Sequence, residues 1–344
     1  MSNSKEMAEC ATEANANRHL CEGFVDLQIS GFRGVDFSSE QLTLLDIGRV
    51  TMELVSLGTM AFCACIPSAP IKVYRRSLPL WAQAMKESGF GKRILGLHIE
   101  GPFISPEPGF RGAHPEQYIQ QPSIDLFRQF QEWAEGNIRV LTLDPAQPGA
   151  MDLIRYAADS GVVVSLGHHN ADERTILEAV AAGAKCSTHI GNGIAGTIDR
   201  HRNPIWPQLA CDDLRATFIT DGHHVPPALI KTAHRAKGCE RFIVISDATW
   251  LAGLPPGPYS YYDIPVRVQP EGKVVCEDSG YLAGSYSTMI DCMNFLASLE
   301  LLDESDLWRA GCCNALKLLG AEPASLADLD GPTVKYQAGG FVID

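Results

Sequence analysis

The stretch ILGLHIEGPF, residues 94–103, places a carboxylate, Glu100, at the end of an apolar β-strand. Four further apolar runs lead to a polar residue in the same way: VVVSLGHH leads to His168, KCSTHI to His189, ATFITDGHH to His224 and RFIVISD to Asp247. A (β/α)8 barrel builds its active site from strand ends that converge on one face. These five residues therefore predict a barrel with functional side chains at the carboxyl ends of its strands.

The alternation of strand-like and helix-like segments supports that architecture. Eight strand patterns, at 23–28, 59–66, 94–99, 138–143, 162–167, 184–189, 216–221 and 241–246, are separated by helical patterns. Runs that are apolar on both faces are typical of a parallel sheet, and a count of eight favours a closed barrel. No G-x-G-x-x-G turn follows the first strand, which argues against a dinucleotide-binding fold. We predict an α/β fold, a TIM-type barrel with a reduced or truncated small β domain.

The same pattern suggests the domain organisation. Residues 1–20 are predicted to be a polar N-terminal segment, and 21–320 the barrel. Within the barrel, residues 255–283 are predicted to form a β-hairpin insertion. After the barrel, residues 321–344 are predicted to form a C-terminal β segment.

Composition narrows the class of protein. The 344-residue chain has 28 basic and 41 acidic residues, a net charge of −13 and no basic run, so nucleic-acid binding is not expected. No apolar stretch reaches the roughly 18 residues needed to span a bilayer, and the N-terminus lacks the apolar core of a signal peptide. Eleven cysteines, an odd number, fit reduced thiols in a cytoplasmic protein.

Glu100, His168 and His189 form a candidate metal-binding set. A lone strand-end Glu is often a salt-bridge partner and a lone His a core residue, but one carboxylate and two imidazoles on strands three, five and six favour a divalent metal. Three protein ligands leave a position for water, and a metal lowers the pKa of that water to about 7. The chain is therefore predicted to be a metal-dependent hydrolase.

The motifs IEGPF with GAH, SLGHHNA, STHIGN, TDGHHV, SDAT-x-x-AG and GSYSTMID resemble those of the N-acetylglucosamine-6-phosphate deacetylases, in the amidohydrolase superfamily. The resemblance runs from about residue 21 to about residue 320. It implies that Glu100, His168 and His189 bind the metal and that Asp247 is the general base and acid. It also implies that His224 touches the sugar phosphate or polarises the scissile carbonyl. His114 would contact the sugar, and Asn192 with the Gly193 backbone would help to bind phosphate or sugar.

Three departures from the family pattern qualify this resemblance. Gln28-x-Ser30 stands where many superfamily members carry His-x-His for a second metal, so a single metal site is expected. The family's phosphate-binding Arg, donated by a neighbouring subunit, falls in DRHRNP, where Arg202 is the better match and Arg200 competes with it. Family members also carry a longer N-terminal β-rich segment.

The resemblance implies that a water activated by the metal attacks the acetamide of N-acetylglucosamine-6-phosphate, giving glucosamine-6-phosphate and acetate. The expected cofactor is one divalent ion, Zn2+ with Fe2+ as the alternative, and the expected assembly is a homodimer. Two alternatives stay open. One is an amidohydrolase for another N-acyl or cyclic amide or for a non-phosphorylated acetylated sugar, and the other is a barrel that binds a metabolite without turnover.

Overall fold

A computed structural model describes residues 22–261 and 264–344. Its main feature is a single sheet of eight strands in chain order, each parallel to the next. The strands are β1 Phe24–Ile29, β2 Thr59–Pro67, β3 Ile94–Glu100, β4 Ile138–Leu143, β5 Val163–Leu166, β6 Cys186–Ser187, β7 Arg215–Ile219 and β8 Phe242–Ile245.

The sheet closes on itself just beyond the end of β8. The Asp247 N–H donates to Gln28 O at 2.9 Å, and the Ser30 N–H donates to Ala248 O at 2.8 Å. The buried Asp26 carboxylate adds to this closure by accepting hydrogen bonds from the Ser246 N–H and hydroxyl. These contacts join the first strand to the last, as a barrel requires.

Helices follow the strands because their sequences carry apolar stripes and caps. Those after β1 to β7 are α1 Leu44–Ser56, α2 Ile71–Ala84, α3 Ile124–Trp133, α4 Ala150–Asp159, α5 Glu173–Ala182, α6 Ile205–Ala210 and α7 Pro227–Arg241. After β8 come α8 Met289–Ser298, α9 Glu304–Trp308 and α10 Asn314–Leu318. Thr43 caps α1 with a capping box, and Asp172 caps α5 through the Thr175 N–H, which supplies partners for N–H groups that the helix leaves free.

The core consists of two layers. Buried apolar side chains fill the space between the strands and the surrounding helices. A smaller cluster fills the barrel interior, where Cys63 of β2 lies among aliphatic residues. No disulfide is found among the nine cysteines in the described part of the chain, and Cys63 and Cys65 are fully buried.

The segment for which the sequence predicted a hairpin instead forms four antiparallel strands. They are β9 Gly257–Tyr261, β10 Ile264–Val268, β11 Lys273–Cys276 and β12 Leu282–Ser285. β9 lies inside the predicted segment, where its residues read as one run with those of β10, and β12 crosses the end of the segment at residue 283. The predicted N-terminal segment, 1–20, lies outside the described residues.

Two further antiparallel pairs are short: Gly31–Phe32 with Val35–Asp36, and β13 Val334–Gln337 with β14 Gly340–Ile343. Phe341 of β14 packs against Phe24, so the C-terminal pair contacts the amino-terminal end of β1. The predicted fold class, a TIM-type barrel with small β elements, is confirmed. Among the described residues, no helix is both long and apolar enough to cross a membrane.

Candidate active site

The predicted site residues lie at the carboxyl ends of the barrel strands. Glu100 is the last residue of β3, whereas His168, His189 and Asp247 each follow the end of a strand by two residues. These last three have positive φ angles of 54°, 31° and 50°, a conformation that is uncommon for residues other than glycine. Backbone strain of this kind clusters at functional sites, where the surrounding structure must maintain it.

Glu100 is the centre of the cluster. Its Oε1 atom lies 2.9 Å from His189 Nε2 and 3.3 Å from His168 Nε2. The potential ligand atoms of the three side chains all lie within 4.8 Å of one another, and all three residues are buried. Among the described residues, this is the one group of three or more His, Cys, Asp or Glu side chains with that geometry.

The hydrogen bonding of His168 tests whether these residues fit a metal ion. His168 Nδ1 lies 3.0 Å from Phe110 O, a carbonyl that can only accept, so Nδ1 carries the proton. In the neutral ring, Nε2 then presents a lone pair to the Glu100 carboxylate. A divalent cation placed among these atoms would take His168 Nε2 and the Glu100 carboxylate as ligands. The Phe110 carbonyl would then orient the His168 ring, as hydrogen-bond partners of metal-bound His commonly do. The donor set fits a divalent metal.

The two carboxyl groups of the site have opposite pKa shifts. Burial by itself would raise the pKa of Glu100, but the adjacent imidazoles of His168 and His189 and the nearby His114 lower it well below its usual range. Burial and then the charge of Glu100 raise the pKa of Asp247 well above its usual value. Glu100 is thus held charged, as a metal ligand must be, while Asp247 favours binding a proton, as a group that transfers protons must.

Gln28 joins these two carboxyl groups. Its side-chain nitrogen donates to Glu100 Oε1 at 2.8 Å and to Asp247 Oδ1 at 3.0 Å. The sequence showed only that Gln28 replaces an imidazole. Its position as a bridge could not be read from the pattern, because it depends on how β1, β3 and β8 approach one another.

His114 has a defined tautomer. The Ser68 backbone N–H, which can only donate, points to His114 Nδ1 at 3.2 Å, so the ring proton is on Nε2. Burial and the neighbouring His168 lower the pKa of His114 to about 3, which keeps the ring neutral. Its Nε2 lies 3.9 Å from Glu100 Oε2 and presents a hydrogen-bond donor rather than a lone pair. This His suits contact with an acceptor on a substrate better than metal binding.

His224 forms a pair with Asp221, a residue that the sequence analysis did not single out. His224 Nδ1 donates to Asp221 Oδ2 at 2.7 Å, and Asp221 Oδ1 accepts from the backbone N–H groups of His223 and His224. Burial alone would raise the pKa of Asp221, but the hydrogen bond and charge of His224 with the backbone donors lower it to about 2. An Asp that precedes Gly and accepts N–H groups two and three residues later is a recognisable local turn, a signal that the sequence did contain.

Asn192 and Gly193 lie directly beside the metal-binding candidates. Asn192 donates from its side chain to His189 O at 3.3 Å. Gly193 has a φ of 59°, and a Cβ atom there would come within 2.7 Å of His168 Nδ1. Only glycine fits this position without displacing the ring.

A cavity of about 490 Å³ joins these groups. Its walls include every predicted site residue except the two arginines: Glu100, His114, His168, His189, Asn192, Gly193, His224 and Asp247. Arg200 and Arg202 are exposed and do not line it. No Lys or Arg is found in the cavity wall within residues 22–261 and 264–344.

The four-stranded sheet supplies part of the mouth of the cavity, a contribution that the sequence analysis missed. Tyr261 and Tyr281 line it together with Gly280 and residues 282–284. Tyr281 is 36% exposed, and of the exposed large apolar side chains in the described chain it is the one that faces this cavity.

The chain is similar to several known proteins. No family model matches the chain. It is 31% identical over 319 residues to the N-acetylglucosamine-6-phosphate deacetylase of Bacillus subtilis (strain 168), covering 92% of this chain and 79% of that protein. It is 30% identical to the N-acetylgalactosamine-6-phosphate deacetylase of Escherichia coli O157:H7, and this match covers 91% of this chain and 79% of that protein.

A solved structure extends the similarity to three dimensions. It is a mutant N-acetyl-D-glucosamine-6-phosphate deacetylase from Mycobacterium smegmatis in complex with N-acetyl-D-glucosamine-6-phosphate. The TM-score is 0.83 at 25% sequence identity, and the match covers 93% of this chain and 83% of that chain. The similarity therefore extends over the barrel and over most of the chain.

Proposed function

The chain belongs to the N-acetylglucosamine-6-phosphate deacetylase family, and we propose that it removes the acetyl group from an N-acetylated amino sugar 6-phosphate. The observation that carries this proposal is the meeting of Glu100, His168 and His189 with a proton-binding carboxyl group, Asp247, in one cavity. A binding protein that only held a metabolite would not need both. N-acetylglucosamine-6-phosphate is the first substrate to test, with its galactosamine epimer beside it.

We propose Zn2+ as the cofactor, held by Glu100, His168 and His189. One carboxylate and two imidazoles form a donor set that zinc favours, and Fe2+ is the alternative. When bound, such an ion supplies Lewis acidity, which polarises a carbonyl group and lowers the pKa of water. Gln28 is not a strong ligand for a transition metal, which supports one ion rather than two.

Asp247 is proposed to move the proton. Its Oδ1 accepts from Gln28, while Oδ2 has no hydrogen bond among the described residues and so is the atom free to take a proton. Oδ2 accepts a proton from water as the water oxygen bonds to the acetamide carbon. The same proton passes to the nitrogen as the carbon–nitrogen bond breaks, giving the amine and acetic acid, which becomes acetate by releasing the second proton of the water.

His224 and His114 are proposed to orient the substrate. With its Nδ1 proton committed to Asp221, His224 can direct Nε2 to the substrate in the cavity that it lines. His114 presents its Nε2 proton to the same cavity, where it can donate to a sugar oxygen. Asn192 and the backbone of Gly193 lie at a wall where they can bind sugar or phosphate.

The phosphate is proposed to be held by Arg202 or Arg200 of a second copy of the chain. Among the described residues, the cavity wall contains no Lys or Arg, yet a phosphate is held best by a guanidinium group. Both arginines are exposed and therefore available to a neighbouring subunit. A homodimer with shared sites follows from this arrangement. The cytoplasmic location stays a prediction from the sequence.

A subunit-mixing experiment tests the shared site. Arg202→Ala and Asp247→Asn homodimers should each have low activity. A dissociated and reassociated mixture should regain activity, because one site of each heterodimer combines an intact Asp247 with an intact Arg202. Repeating the experiment with Arg200→Ala in place of Arg202→Ala identifies which of the two arginines binds the phosphate. A mixture that stays as inactive as the parents, with heterodimers verified by mass, contradicts the donated arginine.

The proposed reaction is tested by measuring acetate release from N-acetylglucosamine-6-phosphate by metal-loaded protein and by its Asp247→Asn variant. We expect turnover by the wild type and a loss of 100-fold or more in the variant, the order that a general base contributes. The variant should retain one metal per chain. Equal rates for the two proteins would remove Asp247 from the reaction.

A further inference from the structure

Ser285, the last residue of β12, connects two sides of the candidate active site. Its hydroxyl oxygen lies 3.2 Å from Asp221 Oδ2, and its backbone N–H donates to Asp247 O at 2.8 Å. The residue is 1% exposed, so both contacts are shielded from water. Ser285 thus contacts Asp221, the partner of His224 after β7, and Asp247, the candidate base after β8.

The hydrogen-bond direction at Ser285 follows from its neighbours. The Ser287 backbone N–H donates to Ser285 Oγ at 2.9 Å, which occupies the hydroxyl as an acceptor. Asp221 is ionised, since its pKa is about 2, and a carboxylate can only accept. The Ser285 hydroxyl must therefore donate to Asp221 Oδ2, the oxygen that also accepts from His224 Nδ1.

The backbone holds Ser285 in place. The Thr249 N–H donates to Ser285 O at 3.1 Å, so residues 247–249 pair with β12 through both the N–H and the C=O of Ser285. Gly284 has a φ of 66°, and a Cβ atom there would come within 2.3 Å of the Thr249 side chain. The four-stranded sheet is thereby packed tightly against the end of β8.

We propose that Ser285 is a positioning residue that fixes Asp221, and through it the His224 imidazole, relative to Asp247. This inference rests on the proposed function, because it assigns Ser285 a part in the same reaction. With the hydroxyl present, Asp221 Oδ2 has two donors and one orientation. Without it, Asp221 keeps its donors from His223 and His224 but loses its contact with β12, so the carboxylate and the imidazole can shift together relative to Asp247.

The test compares metal-loaded Ser285→Ala with Ser260→Ala, which removes an exposed hydroxyl from the same four-stranded sheet. Losing a hydrogen bond to a charged group should lower kcat about tenfold in Ser285→Ala, with KM and metal content little changed. Ser260→Ala should match the wild type. The double variant Ser285→Ala/Asp221→Ala should be no slower than Asp221→Ala alone, because Ser285 acts through Asp221.

An activity-independent measurement accompanies the kinetics. Proton NMR of the resting protein should show a downfield imidazole N–H signal, assigned to His224 by its loss in His224→Asn. That signal should shift or broaden in Ser285→Ala and stay unchanged in Ser260→Ala.

Two results overturn the positioning role: additive losses in the double variant, or wild-type kcat with an unchanged His224 signal in Ser285→Ala. Absence of acetate release by the wild type would instead contradict the proposed function. The NMR signal alone would then decide the positioning role.

Discussion

Gln28 donates a hydrogen bond to Glu100 Oε1 at 2.8 Å, so the first barrel strand supports the candidate metal carboxylate directly. The same amide nitrogen reaches Asp247 Oδ1 at 3.0 Å. Gln28 therefore reduces the electrostatic repulsion between the two carboxyl groups, because each of them accepts a hydrogen bond from the same amide nitrogen. Although Gln28 is not a strong metal ligand, its hydrogen bonds help to position the two carboxyl groups of the site.

We predict that Gln28→Leu, which keeps the size of the side chain but removes its donors, lowers kcat about 10- to 100-fold, the range found for outer partners of metal ligands. The variant should still bind one metal per chain. Steady-state kinetics and elemental analysis check both parts. If kcat stays within twofold of the wild type, the bridge has no part in turnover.

Removing a proposed ligand should remove the metal. His189→Ala and Glu100→Gln are each expected to lower the metal content well below one per chain and to abolish acetate release. His234→Gln, a substitution in α7 away from the cavity, should retain both. Treatment with a chelator should inactivate the wild type, and adding back Zn2+ or Fe2+ in turn shows which ion restores the rate. Full metal content in both ligand variants would show that the ion lies elsewhere.

Tyr281 is predicted to act as a platform for the sugar at the mouth of the cavity. Its ring is partly exposed, and aromatic faces pack well against the apolar face of a ring. Tyr281→Ala should raise KM about 5- to 20-fold with kcat nearly unchanged, and Tyr281→Phe should behave as the wild type because it keeps the ring. A kinetic study of the three proteins suffices, and an unchanged KM in Tyr281→Ala is the contrary result.

Asp26 should make stability depend on pH. Burial raises its pKa from 3.8 to about 6, although hydrogen bonds from Ser246 and the Gln28 N–H lower it in part. The folded chain therefore binds the Asp26 proton more tightly than the unfolded chain does. The stability that this proton provides is lost as the pH rises from about 4 to about 6. Acidification from pH 7.5 to 5 should stabilise the wild type by about 1 kcal/mol relative to Asp26→Asn.

Urea unfolding of both proteins at the two pH values measures this difference, with other titrating groups cancelling between them. A stability difference that is the same at both pH values, or that changes in the opposite direction, would show that Asp26 does not have a raised pKa.

The barrel could be predicted from the sequence because each strand is a continuous apolar run that ends in polar residues. The runs before Glu100 and Asp247 are buried on both faces, so their pattern does not depend on partners far away in the chain. Even β6, which spans only Cys186–Ser187, could be located because His189 follows it at the expected place.

The remaining features depend on contacts between distant segments. The four-stranded sheet was only half predicted because its outer strands are defined by their partners, and Ser285 gains its contacts from Asp221 and Asp247. The choice between Arg200 and Arg202 stays open for the same reason: both are exposed, and neither contacts the site of its own chain.

The most direct test of the central claim is the ratio of kcat/KM for N-acetylglucosamine-6-phosphate to kcat/KM for unphosphorylated N-acetylglucosamine, measured as acetate release by the metal-loaded protein. We predict efficient release from the phosphate and a ratio of about 100 or more, since a bidentate arginine–phosphate contact is lost with the neutral sugar. A ratio near one, or no release from either sugar by protein that holds one metal per chain, would contradict the account.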